Sequence, residues 1–191
     1  IAGVPLAQIR FARALAAKGH DVDLVVGHVP RHLTMPNVSE VNVLVWRTSH
    51  VRRMLVPLCR YLRTTKPDVV FSAEDNLNAV VLLAAILSNT KAKVSGSSRV
   101  LPSDPQAYST TIWSKGRLLR WIMKAVMWRA DALTCVSREM VDHYRTMFSA
   151  SRHVYVYNIV RTAAALIEMH EPVDHHATRS APAPKLLEQI C

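Results

Sequence analysis

Ile1-Ala2-Gly3-Val4-Pro5-Leu6-Ala7-Gln8-Ile9-Arg10-Phe11-Ala12-Arg13-Ala14-Leu15-Ala16-Ala17-Lys18-Gly19-His20-Asp21-Val22-Asp23-Leu24-Val25-Val26 opens the chain. A glycine turn leads into a helix whose apolar residues Leu6, Ile9, Ala12, Leu15 and Ala16 recur at helical spacing. Gly19 follows the last periodic turn and suits the left-handed position just past a helix end. Residues 22–26 are nearly all apolar, as in a parallel strand covered on both faces.

The same alternation continues outward from this unit. Strands are expected at 41–46, 69–71, 92–95, 132–136 and 154–157, and helices at 51–65, 77–88, 115–129, 138–148 and 161–170. Lys66-Pro67-Asp68 stops one helix, and Ser137 is placed to cap another. Residues 28–39 read as a loop, as do 97–114, which carry Pro102, Pro105 and many hydroxyls. From Asp174 onward periodicity is lost, and 174–191 reads as an irregular tail. Strands alternating with helices predict an α/β fold: a Rossmann-like open parallel sheet with helices on both faces.

The chain has 191 residues, half of them apolar, enough for one domain with a substantial core. The longest apolar run, 79–87, is far shorter than the ~20 residues that cross a bilayer. Three cysteines without metal spacing suit a reducing cytoplasm, and Cys59 and Cys135 sit in apolar contexts as core residues. The 24 Lys and Arg outnumber 14 acids, for a formal charge of +10 that favours anionic partners. Nucleic acid is not expected among them: no recognised binding motif appears, and the aromatics form no stacking platform. A nicotinamide cofactor is disfavoured by the lack of G-x-G-x-x-G after a strand.

Four segments, in order, resemble family-4 glycosyltransferases of the GT-B fold, in which two Rossmann-like domains face each other. They are the opening turn and helix, Lys66-Pro67-Asp68-Val69-Val70-Phe71-Ser72, Arg129-Ala130-Asp131-Ala132-Leu133-Thr134-Cys135-Val136-Ser137, and Val156-Tyr157-Asn158-Ile159-Val160. In the last, Ile159 stands where the family has proline and Arg161 where it has an acid. The resemblance implies that 1–173 is the N-terminal, acceptor-side domain with its first strand missing. It also implies that a C-terminal donor-binding domain with a Glu-seven residues-Glu motif belongs after it. No such motif occurs in the 191 residues, so the chain reads as a fragment holding half an active site.

Ligands in open α/β sheets bind beyond the carboxyl ends of the strands. Those ends are Gly27-His28, Trp46-Arg47, Ser72-Ala73-Glu74-Asp75-Asn76, Ser97-Ser98-Arg99, Ser137-Arg138 and Asn158. Glu74, Asn76, Asn78, Ser98 and Arg99 are the candidate acceptor contacts: carboxylate and amides for sugar hydroxyls, Arg beside hydroxyls for a phosphate. Asp75 is read as a helix cap, and first-turn acids suit that role equally well. Gly3, before a helix N-terminus, is either a plain turn or, as the resemblance implies, the approach to a donor diphosphate. His28 and His143 read as surface histidines, and His175-His176 lacks zinc spacing. No metal and no cofactor are expected.

Arg117, Arg120 and Lys124 share a face on the helix from Lys115, with Trp121 and Trp128 flanking it. Leu118, Leu119, Ile122, Ala125 and Val126 are assigned to the opposite, core side. Cations beside tryptophans suit an anionic membrane surface, and a solvated face is the plain alternative. The resemblance implies a retaining transfer from a nucleotide-diphosphate sugar to a glycan or lipid-linked acceptor, at the cytoplasmic face of the membrane. A non-catalytic nucleotide-binding or regulatory Rossmann-like module is the alternative function.

Overall fold

In the computed structural model the described residues are 4–29, 40–101, 115–148 and 152–156. They fall in a unit spanning Ile1–Asn158. Strands and helices alternate as α1 (Val4–Ala16), β1 (Asp23–Val26), β2 (Asn42–Val45), α2 (Leu55–Thr64), β3 (Val69–Ala73) and α3 (Asp75–Ser88). There follow β4 (Lys93–Ser98), α4 (Lys115–Val126), β5 (Ala132–Cys135), α5 (Arg138–Met147) and β6 (His153–Tyr155). A 3-10 turn, Val51–Met54, leads into α2, and another, Met127–Arg129, closes α4. The expected helix at 161–170, the tail at 174–191 and most of the loop at 97–114 lie outside the described residues.

All pairings are parallel. The strands form two ladders, β1-β2 and β3-β4-β5-β6, and the expected continuous sheet is interrupted between β1 and β3. Side chains span that interruption. Asp23 on β1 accepts the Tyr61 hydroxyl from α2 at 2.5 Å, and within its own ladder it accepts the Asn42 amide from β2 at 2.7 Å. Phe11 on α1 and Phe71 on β3 bring their ring centroids to 4.8 Å.

Local sequence explains the element ends. Gly19 adopts φ 86°, the left-handed conformation past the end of α1. Asn89 takes the same region at the end of α3, where its N–H satisfies the Ala85 and Ile86 carbonyls. Ser137 accepts the Met140 N–H at 3.2 Å and caps α5. The main core gathers Leu58 and Leu62 of α2, Ala79 to Ala85 of α3, Met123 and Val126 of α4, Leu133 of β5 and Tyr144 and Phe148 around α5. Helix α3 is apolar nearly all round because α2 and α4 pack beside it. Cys135 is buried and Cys59 is half-buried with its thiol directed at the Ala84 carbonyl.

Two boundaries shift in a way that matters for the site. Strand β4 runs on through Ser98, where hydroxyl-rich sequence reads as a loop, because Ser97 and Ser98 pair across to Thr134 and Cys135. Helix α3 begins at Asp75, two residues before its first apolar residue, so Asn76 and Asn78 are helical.

Candidate functional site

The carboxyl ends of β3, β4, β5 and β6 share one edge of the larger ladder. At that edge the chain turns sharply at Glu74, whose φ is 77°. The Glu74 N–H donates to the Ser97 carbonyl at 2.9 Å, and its own carbonyl accepts the first helical N–H, from Asn78. Glu74 thus holds the cap position that sequence reasoning gave to Asp75, although its side chain makes no capping bond. The left-handed backbone, costly for a residue with a Cβ, is fixed from both sides by these bonds.

One residue on, the Asp75 carboxylate points inward. It accepts the Ser98 hydroxyl at 2.6 Å on one oxygen and the Tyr144 hydroxyl, through a short bond, on the other. Asp75 is therefore no cap; it ties β3-α3 to β4 and α5. The Tyr144 ring stacks on His153 with centroids 4.3 Å apart, and His153 Nε2 lies 3.5 Å from the Ser98 hydroxyl. Burial and the Asp75 charge push the Tyr144 phenol well above its ordinary range. Burial pulls His153 down to about 4, against the opposing pull of Asp75. Burial, with a smaller push from Asp75, raises Cys135 to about 12, so that thiol stays protonated.

Asn78 and Ser98 are 0 % exposed. Asn78 Oδ1 accepts the Ser72 hydroxyl at 2.7 Å, and its amide donates to the Ser97 carbonyl at 3.1 Å. Gly96 makes room for it, since a Cβ there would lie 3.1 Å from Asn78 Cγ. Both are expected from the sequence as acceptor contacts; the spacing places them at a strand end, and packing turns both side chains inward beneath the rim. Glu74 and Asn76 stay exposed, and Arg99 is half-buried. Burial lowers the Arg99 guanidinium from its usual value, and the nearby Glu74 charge opposes that shift. The structure thus brings Glu74, Asn76 and Arg99 to the rim of one strand edge. Gly3 lies outside the described residues.

The segment Arg129-Ala130-Asp131 does not contribute to this edge. It stands where β5 begins, at the other end of the ladder. Asp131 accepts the Val94 N–H and the Lys93 ammonium, each at 2.9 Å, and Arg129 donates to the Thr90 and Ala92 carbonyls. The Val94 N–H, first, and then Lys93 hold the Asp131 carboxyl below its usual range. The triplet is a clasp between the start of β4 and the start of β5.

On α4 the faces differ from expectation. Met123 and Val126 are buried, while Leu118 and Ala125, assigned to the core side, are exposed beside Trp121, Lys124 and Trp128. Arg117 and Arg120 are half-buried. Position 118 lies only ~60° around the helix from 121, so it shares the outward arc. His28 is exposed, and so is His143, which faces Glu139 at 3.9 Å.

Sequence reasoning missed Tyr144 and His153 as parts of the polar network beneath the rim. Tyr144 reads as one more core residue on α5, and a lone His before a strand carries no signal of its partner. Among the described residues no helix is long and apolar enough to cross a membrane. No curated protein matches the chain. Residues 3–158 match the glycosyl transferase 4-like domain. With parallel strands, flanking helices and that match over most of its length, the chain belongs to the glycosyl transferase 4-like domain family.

Proposed function

We propose that this domain forms the acceptor-side wall of a glycosyltransferase active site. The transferred sugar comes from a nucleotide-diphosphate donor and goes, with retention, to a glycan or lipid-linked acceptor in polysaccharide or lipopolysaccharide synthesis. The protein works at the cytoplasmic face of a membrane as a peripheral enzyme. The observation that carries the reading is the family match, together with Glu74, Asn76 and Arg99 around one carboxyl edge of parallel strands. A carboxylate, an amide and a guanidinium suit the hydroxyls and phosphates of such an acceptor.

In this reading Glu74 and Asn76 bind sugar hydroxyls and Arg99 meets an anionic group of the acceptor. The Asp75 network below holds their backbone in place, so that little ordering is left when the ligand arrives. Gly3, where backbone N–H groups meet a helix start, approaches the donor diphosphate. No metal or cofactor takes part. Transfer needs donor contacts held opposite this wall as charge develops in the transition state, and the 191 residues contain no Glu-seven residues-Glu pair to provide them.

A glycan array probed with the chain tests the reading. Binding to a restricted set of anionic glycans is expected, weakened about tenfold or more by Glu74→Gln or Arg99→Gln, each an uncompensated polar loss of roughly 1.4 kcal/mol. Absence of glycan binding, or variants that bind like the parent, would overturn the acceptor role. Sugar transfer by the 191-residue chain on its own would overturn the assignment of only one wall to it.

A further inference from the structure

Helix α4 is divided lengthwise. Met123 and Val126 enter the core, followed by Met127 in the 3-10 turn. On the outer arc Leu118 is 63 % and Trp121 61 % exposed, and Trp128, in the 3-10 turn that follows, is 67 % exposed, so three large apolar groups face water. Lys115 and Lys124, also exposed, stand beside them. No acid occurs between Asp104 and Asp131, and Asp131 is engaged by Lys93 and Arg129.

We propose that the outer face of α4 docks flat on an anionic lipid bilayer, with Leu118, Trp121 and Trp128 entering the interface and Lys115 and Lys124 meeting lipid phosphates. Large apolar side chains clustered on an exposed helix face mark an interaction site. The flanking chemistry selects the occupant. Lysines at the borders of an apolar stripe let their stems lie along the hydrocarbon while the ammonium groups stay among the headgroups. Tryptophan is the side chain best suited to that boundary, apolar in body with one N–H for the headgroup layer. The net charge of +10, undiluted by acids along this stretch, complements an anionic surface. With 12 residues α4 is too short to span, so it lies in the plane of the membrane.

This docking deepens the peripheral-membrane part of the proposed function. It does not depend on the sugar chemistry, so its test requires no turnover and separates its failure from that of the acceptor role. The chain is mixed with phosphatidylcholine vesicles and with vesicles of equal phosphatidylcholine and phosphatidylglycerol. Sedimentation with the anionic vesicles and a blue shift of tryptophan emission are expected. Each of Lys115→Gln and Lys124→Gln should weaken that partition roughly fivefold at low salt. Trp121→Ser with Trp128→Ser should remove the blue shift and the binding that survives added salt. Quenching of the native tryptophans by brominated lipid needs no variant and is also expected. Equal binding to neutral and anionic vesicles, no quenching, or lysine variants that partition like the parent would overturn the proposal. So would a lipid-free dimer that the tryptophan substitutions dissociate, which would assign the face to a second copy of the chain.

Discussion

Asp75 and Tyr144, 69 positions apart in the sequence, meet as a carboxylate and a phenol hydroxyl in a short hydrogen bond beneath the strand edge. The contact links the first residue of α3 to the middle of α5. Through Ser98 and the stacked His153 it also reaches β4 and β6. A half-buried carboxylate is tolerated there because donors from separate elements converge on it. The rim residues Glu74 and Arg99 are the immediate chain neighbours of Asp75 and Ser98, so the network sets where they stand.

Tyr144→Phe keeps the ring and removes one donor. It should cost about 1–2 kcal/mol. Asp75→Ala deprives the hydroxyls of both Ser98 and Tyr144 of their acceptor, and it should cost more, about 2–4 kcal/mol. Urea unfolding measures both as a shift in midpoint at constant slope. If Asp75→Ala cost no more than Tyr144→Phe, the two hydroxyls would have to be satisfied elsewhere.

Stability should fall in mild acid because of His153. Its folded-state value, about 4, lies below the ordinary 6.5. The unfolded chain therefore takes up the proton first as pH drops. The contribution is full above pH 6.5 and is lost progressively down to about 4, amounting to about 3 kcal/mol. His153→Gln should flatten the stability profile across that window, read from denaturant midpoints at successive pH values. An unchanged slope would show that other groups carry the acid sensitivity.

Gly96→Ala should destabilise by about 1–3 kcal/mol through overpacking. The new Cβ would lie 3.1 Å from Asn78 Cγ and 3.2 Å from Leu133 Cδ2, and Asn78 is pinned by Ser72 and Ser97. Gly19→Ala meets nothing within 4 Å, yet its φ of 86° should still cost about 1 kcal/mol. Thermal melts of the two variants separate a steric penalty from a conformational one. A Gly96→Ala variant that melts like the parent would contradict the close approach at Gly96.

The edge of β3 at the interruption between the two ladders has no ladder partner among the described residues. Val69, at its start, is 62 % exposed. An open apolar edge invites strand pairing between copies. Val69→Lys should lower light scattering on warming while changing stability by less than about 0.5 kcal/mol. Undiminished scattering would place self-association at another surface.

The sequence by itself determined the alternation of strands and helices, the parallel class of sheet and several element ends. Those features depend on near neighbours: apolar spacing, the left-handed turn at Gly19, the hydroxyl of Ser137 three residues before the Met140 N–H. It also pointed to one particular strand edge, because Glu74 and Arg99 directly follow strands. Only the tertiary structure decided which polar groups at that edge face outward. Asn78 and Asn76 are alike in the sequence, yet one is sealed beneath Gly96 and the other lies in water. Asp75 reads as a cap until Ser98 and Tyr144, 23 and 69 residues away, arrive to donate to it. Leu118 reads as core until α3 takes the other side of α4. The physical reason is common to all three. A side chain's role is fixed by the partners that desolvate it, and partners far along the chain leave no mark on local spacing.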